Sequence, residues 1–220
     1  MGDFMQIKIH LQIFILILIY GITNQIQIYG LLMFFAFLHE MGHLVAGFFF
    51  HLKPKQLQIT PLGLSITFES YGQEKKKSYA QKIGIALAGP LVNGIIFCLA
   101  FALPARIGPF HQDNILYANF LLMLFNLIPI YPLDGGRILE SGLKLKYPYH
   151  TAIQITKQIS NWLTFILTIL GSFLVFYYQN IAIFFIILYL NYLVFQENKR
   201  FGMIQRKKGC WLINLTNILL

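Results

Sequence analysis

The sequence predicts an all-α polytopic membrane protein of about six transmembrane helices, with a short amphipathic β-hairpin between the second and third. Three observations predict it. Of 220 residues, 57% are hydrophobic and only 11% charged, less than half the roughly 25% usual in a soluble domain. The apolar residues fall into runs of span length, since a helix needs about 17–25 mostly apolar residues to cross the hydrocarbon core. The lysines and arginines lie between those runs and not along one amphipathic face, so the net charge of +9 reads as membrane orientation and implies no nucleic-acid partner.

Candidate spans occupy 7–23, 28–50, 83–103, 115–131, 160–178 and 181–197. The first is read as a retained span because Thr23, Asn24 and Gln25 follow it without a small-residue cleavage site; a cleaved signal peptide would leave every later loop on the same side. With both termini in the cytoplasm, Arg106 alone among the 17 lysines and arginines falls outside, as the accumulation of basic residues on the cytoplasmic side requires. The run Lys75, Lys76 and Lys77 fits this anchoring, and a site for an anionic lipid or partner is the other reading. Between spans two and three, Leu57 and Ile59 alternate with Gln56 and Gln58, and Leu64, Ile66 and Phe68 alternate with Ser65 and Thr67, around Pro61 and Gly63. Period-two patterning around a turn predicts the hairpin. Cys98 lies within a span and Cys210 in the basic tail, so no disulfide framework or cysteine metal site is expected. The domain reading is one membrane unit over 1–198 with its core at 28–139, then a short basic and apolar cytosolic tail at 199–220.

The chemistry is carried by ionisable groups inside apolar runs, each costing about 2–3 kcal/mol at membrane depth. His39-Glu40-Met41-Gly42-His43 is H-E-x-x-H, and positions i and i+4 share a helix face. Two imidazoles so placed can bind one Zn²⁺, with Glu40 beside it as general base. His10, His51, His111 and His150 lie near span ends or in loops and are read as interfacial or solvated. A catalytic zinc commonly takes a third protein ligand. Of the seven acidic residues besides Glu40, Asp3, Glu69, Glu74, Asp113 and Glu197 fall in tails, loops or the end of the last span, which leaves Asp134 and Glu140. Asp134 sits where Pro129, Pro132, Gly135 and Gly136 must interrupt the helix, and irregular backbone at membrane depth lines protein or a wet cavity. Spans two and four run in the same direction, which puts His43 and Asp134 in the same cytoplasmic half. Asp134 is therefore the expected third ligand, and Glu140, beyond Arg137, is expected in a surface ion pair.

With H-E-M-G-H in one span and L-D-G-G-R in another, plus "ALAGPLVN" (Ala86 to Asn93) in the third, the sequence resembles the site-2 protease family of intramembrane zinc metalloproteases. The small residues of the third motif also fit close helix packing, which is taken to account for most of it. Within the family the likeness is greatest to the branch containing stage IV sporulation protein FB, which removes the pro-sequence of a sporulation sigma factor. The segment between spans two and three is too short for a PDZ domain, and only a short tail follows Glu197 where many members carry a CBS domain.

The resemblance implies a zinc metalloendopeptidase with one Zn²⁺ per chain, acting on a membrane-associated or transmembrane protein such as a pro-sigma factor. Membrane inhibitor proteins are implied as further partners. It implies a multi-pass protein of the bacterial cytoplasmic membrane with its active site toward the cytoplasm, in the mother-cell-derived membrane around the forespore if the role is sporulation-specific. Asn126 matches a family asparagine that faces substrate; satisfying backbone freed by Pro129 is the alternative. The hairpin is expected either to pair with an extended substrate by strand addition or to cap the interface.

Two other function classes share part of this pattern: a metal or ion transporter, and an inactive homologue that holds a client as a membrane scaffold. Against the transporter, the polar groups gather on one side and no paired interrupted spans suggest inverted repeats. Against the scaffold, every proposed catalytic position carries a competent residue.

Overall fold

A computed structural model describes residues 6–9, 11–60, 63–68, 76–103, 110–178 and 184–201. The elements are β1 (Gln6–Ile9), α1 (Gln12–Ile22), α2 (Ile26–Phe49), β2 (Pro54–Thr60), β3 (Gly63–Phe68), α3 (Lys76–Ala102), α4 (Gln112–Leu127), α5 (Asp134–Lys146) and α6 (Tyr149–Tyr178), with a further helix, α7, over 184–201. Lys75, the loop holding Arg106, the hairpin turn at Pro61 and the tail beyond 201 lie outside the described residues.

Three helices among the described residues are long and apolar enough to cross a membrane: Ile26–Phe49, Ser78–Ala102 and Tyr149–Tyr177. At about 1.5 Å per residue, the 24 residues of α2 reach about 36 Å. Their outward faces carry exposed Phe34, Val45, Leu91, Ile95, Phe165 and Phe173, as a lipid-facing surface does. The other expected spans correspond to shorter or more charged helices. Helix α1 has 11 residues because the start of the expected first span, Ile7 to Ile9, belongs to strand β1, Gln6–Ile9. Helix α4 has 16, ending at Leu127 and not at 131, because Pro129 and Pro132 cannot continue it. Helix α6 begins at Tyr149, not near 160. Its first turns are polar, yet Ala152, Ile153, Thr156, Ser160 and Thr164 are buried, a stripe at helical spacing that packs inward.

The hairpin is present and antiparallel, pairing Leu57 with Ile66 and Ile59 with Leu64. The all-α expectation needs one correction. Strand β1 pairs in parallel with β2, Gln6 against Gln56 through Ile9 against Ile59, giving a three-stranded sheet of order β1-β2-β3. A parallel pairing across such a sequence gap leaves no local signal, whereas a hairpin does. Strand β3 is an edge of this sheet and lies against α2.

The core of the bundle is α2 on α3, with α3 also against α4 and α5. Leu31, Phe35, Ala100, Ile115 and Ala118 form one buried cluster. Ile130, Leu133, Leu190 and Val194 form another, through which α7 supports the irregular segment between α4 and α5. The Tyr131 N–H in that segment donates to Ser160 Oγ of α6 at 2.9 Å. This clamps the turn that delivers Asp134.

Candidate metal centre

On α2 the buried face runs Phe35, Ala36, His39, Glu40, Gly42, His43 and Gly47, so the helical period that buries the apolar residues also turns both histidines and Glu40 inward. They stand against α3, where a Cβ at Gly89 would run into Nε2 of both His39 and His43. Only glycine leaves room for the rings there. Asp134 is the first residue of α5, and its approach depends on the two residues after it. A Cβ at Gly135 would meet the Leu127 and Ile128 carbonyls, and one at Gly136 would meet the backbone of Ile130 and Tyr131. The pair lets the first turn of α5 nest in the loop after α4.

His39, His43 and Asp134 converge as the sequence predicts. Asp134 Oδ2 lies 3.0 Å from His39 Nε2 and 3.1 Å from His43 Nε2, and the two Nε2 atoms are 3.1 Å apart. All three residues are about 95% buried. The outer ring nitrogens are already engaged. His39 Nδ1 faces Asn93 Oδ1 at 2.8 Å, and His43 Nδ1 faces the Ile85 carbonyl at 2.7 Å. A carbonyl only accepts, so each Nδ1 carries the proton and each neutral ring turns an Nε2 lone pair inward. With both rings neutral, two lone pairs and a carboxylate oxygen meet, an arrangement that needs a proton or a metal cation between its members. Ligands about 2.0–2.1 Å from a tetrahedral zinc lie about 3.3 Å apart, and two nitrogens with one carboxylate oxygen suit that ion. The donor set and its spacing fit Zn²⁺.

Glu40 is as buried as the ligands, and its Oε1 accepts the backbone N–H of Ile66 in β3. Arg137 Nη1 lies 4.0 Å from Asp134 Oδ1, with its side chain 38% exposed. A carboxylate beside the converging lone pairs can move protons, and the Ile66 contact sets the hairpin edge directly against it.

Other predicted residues fall elsewhere. Glu140 does pair with a lysine, Lys144, but both side chains are nearly buried, where a surface pair was expected. Lys144 lies over the Tyr149 ring at 4.4 Å, so α5 and α6 enclose the pair. Asn126 donates to the Leu122 carbonyl one turn back in α4 at 3.0 Å, a carbonyl inside the helix and not the one that Pro129 would free. His51, His111 and His150 are exposed, in line with their solvated reading, and His10 lies outside the described residues.

Two site residues escaped the sequence reading. Asn93 ends the third motif, which packing was taken to explain, yet its fully buried side chain holds His39. Behind it stands Asn119 of α4, also fully buried. An amide on the inward face of an apolar helix, beside Ile115 and Ala118, is itself a signal that could have found it, because polar groups at membrane depth are costly.

No protein-family model matches the chain. It is 25% identical over 159 residues, 71% of its own length, to stage IV sporulation protein FB of Bacillus subtilis. It is 32% identical over 143 residues, 61% of its length, to a zinc metalloprotease of Methanocaldococcus jannaschii. These matches span 54% and 39% of the two relatives, so the chain covers about half of their length or less. Among solved structures it is similar to a site-2 protease from Methanocaldococcus jannaschii, with a TM-score of 0.67 and 25% identity over 90% of this chain and 93% of that one.

Proposed function

The chain belongs with the site-2 proteases, and from that premise we propose that it is an intramembrane zinc metalloendopeptidase that hydrolyses a peptide bond within or near the membrane. The observation that carries this reading is the convergence of His39 Nε2, His43 Nε2 and Asp134 Oδ2 within 3.1 Å, with both outer ring nitrogens committed to carbonyl acceptors and Glu40 alongside.

His39, His43 and Asp134 would hold one Zn²⁺. When bound, that ion supplies Lewis acidity, polarising a carbonyl and making water a stronger acid. Glu40 takes a proton from the attacking water and delivers it to the departing amine, so the carboxylate ends the cycle as it began. The four groups sit in a buried setting, which limits bulk water at the reacting bond and strengthens each electrostatic contact. Arg137 stands beside Asp134, its Nη1 4.0 Å from Oδ1, and adds positive charge next to that carboxylate.

The hairpin supports a way of presenting substrate. The Ile66 N–H points at Glu40 and hence away from β2, and in an antiparallel pair the carbonyl of the same residue points the same way. The free edge of β3 thus offers a donor and an acceptor beside the general base. An extended peptide adding to that edge would lie across the site, displacing the Ile66 contact from Glu40. Asn126 is carried as a residue facing substrate on the resemblance alone.

The proposed substrate is a membrane-associated or transmembrane protein, and the likeness to stage IV sporulation protein FB favours a pro-sigma factor, with membrane inhibitor proteins as regulators. The proposed topology is six crossings of the cytoplasmic membrane with both termini and the active site toward the cytoplasm, supported by the distribution of basic residues.

The test is Glu40→Gln in purified protein incubated with a membrane-tethered pro-sigma substrate. Cleavage should fall by about 10²-fold or more, the weight of a general base, while zinc content is kept. A scaffold would show no cleavage in the wild type either, and a transporter would carry ions with Glu40 intact and no proteolysis.

A further inference from the structure

The metal centre proposed above rests on a chain of buried amides that begins well away from it. The Asn119 Nδ2 donates to the Ile115 carbonyl at 2.8 Å, and Asn119 Oδ1 accepts from Asn93 Nδ2 at 3.3 Å. Asn93 Oδ1 in turn faces His39 Nδ1 at 2.8 Å. Asn93 and Asn119 both have no exposed surface, so neither amide has water as an alternative partner.

A primary amide has two ends of nearly equal size and opposite polarity, and nothing in its shape says which end faces a neighbour. Here the polarity is fixed from one end. The Ile115 carbonyl can only accept, so it draws the Nδ2 of Asn119 and turns Oδ1 toward α3. That oxygen can only accept, so it draws the Nδ2 of Asn93, which turns Oδ1 of Asn93 toward His39. The neutral histidine must then carry its proton on Nδ1 and present Nε2 as a lone pair. Were Asn93 reversed, its N–H would face Nδ1, the proton would shift to Nε2, and the inward nitrogen of His39 could not ligate. Hydrogen-bonding partners behind metal-binding histidines fix ring orientation and tautomer in this way.

We propose that Asn119 is a positioning residue for the metal centre: from α4, two side chains removed from any ligand, it orients the Asn93 amide and thereby selects the His39 tautomer that binds metal. The inference rests on the zinc-site reading and deepens it. It assigns a role to a residue that lies in none of the three sequence motifs.

The test compares zinc affinity, by chelator competition, and the visible absorption of the Co²⁺-substituted protein, in four detergent-purified forms: wild type, Asn119→Leu, Asn93→Asp and the double variant. A carboxylate at position 93 accepts from His39 in either orientation, so it has no polarity for Asn119 to set. Asn119→Leu alone should weaken zinc by about 10–100-fold, the usual effect of losing such an outer partner, and should shift the Co²⁺ spectrum. In the Asn93→Asp background the same change should cost less than about 2-fold. Should Asn119→Leu fail to fold, Asn119→Ala carries the same comparison.

An equal loss in both backgrounds would show a packing role only and overturn the proposal, as would wild-type zinc affinity and an unchanged Co²⁺ spectrum in Asn119→Leu. A folded wild type that binds neither Zn²⁺ nor Co²⁺ would instead overturn the metal-site reading on which it stands.

Discussion

At His39 and His43 the nitrogen that faces away from the site matters as much as the one that faces in. The sequence showed the inward pair, because H-E-x-x-H fixes i and i+4 on one face. It could not show that the outward nitrogens find Asn93 and the Ile85 carbonyl, since neither contact has a sequence spacing of its own; they exist only once α3 lies against α2. That is why "ALAGPLVN" read as packing. Both halves of the motif now have separate tests. Asn93→Leu leaves the Nδ1–H of His39 buried without an acceptor, and zinc affinity should fall by about 10–100-fold in a competition assay, with the helices intact by circular dichroism. Gly89→Ala puts a methyl where both Nε2 atoms stand. Overpacking of this kind costs about 1–3 kcal/mol, and here it should fall on the rings, so zinc content should drop more than thermal stability does.

Among the elements, the hairpin was the most legible part of the non-helical structure, because alternation and a turn signal are local. Strand β1 was not, since its few residues precede an apolar run and pair with a strand far along the chain. The consequence is functional as well as topological: β1 covers one side of β2, which leaves β3 as the edge that meets Glu40. Ile66→Pro removes the N–H that points at Glu40 and keeps the β2 ladder, because that N–H faces away from β2. Substrate cleavage should fall by about 10-fold or more with zinc content unchanged, whereas a hairpin that merely caps the interface would leave cleavage near wild type. The loop into α5 was legible as an interruption from Pro129, Pro132 and the two glycines. Its support by Ser160 of α6 and by Leu190 and Val194 of α7 was not, because the polar start of α6 concealed where that helix begins.

For the whole molecule, composition and loop charge fixed a membrane class, and the structure adds three helices of spanning length among the described residues. The short helices α1 and α4 explain why a count from hydropathy alone is incomplete: part of the first apolar run is spent on a strand, and the fourth ends early to bring Asp134 back toward α2. The proposed topology predicts that single cysteines placed at His150, in the first turn of α6, and at Leu52, between α2 and the sheet, react with a membrane-impermeant thiol reagent only after the cytoplasmic side is exposed. Reaction at either position from the outside of intact cells would reverse the orientation. If His39, His43 and Asp134 hold one metal ion as proposed, zinc per chain reports it directly. In protein purified in detergent without chelator, the wild type should carry about one zinc, while His43→Ala and Asp134→Asn, checked for folding, should carry little. A folded wild type that takes up no zinc would show that these three side chains do not form a zinc site.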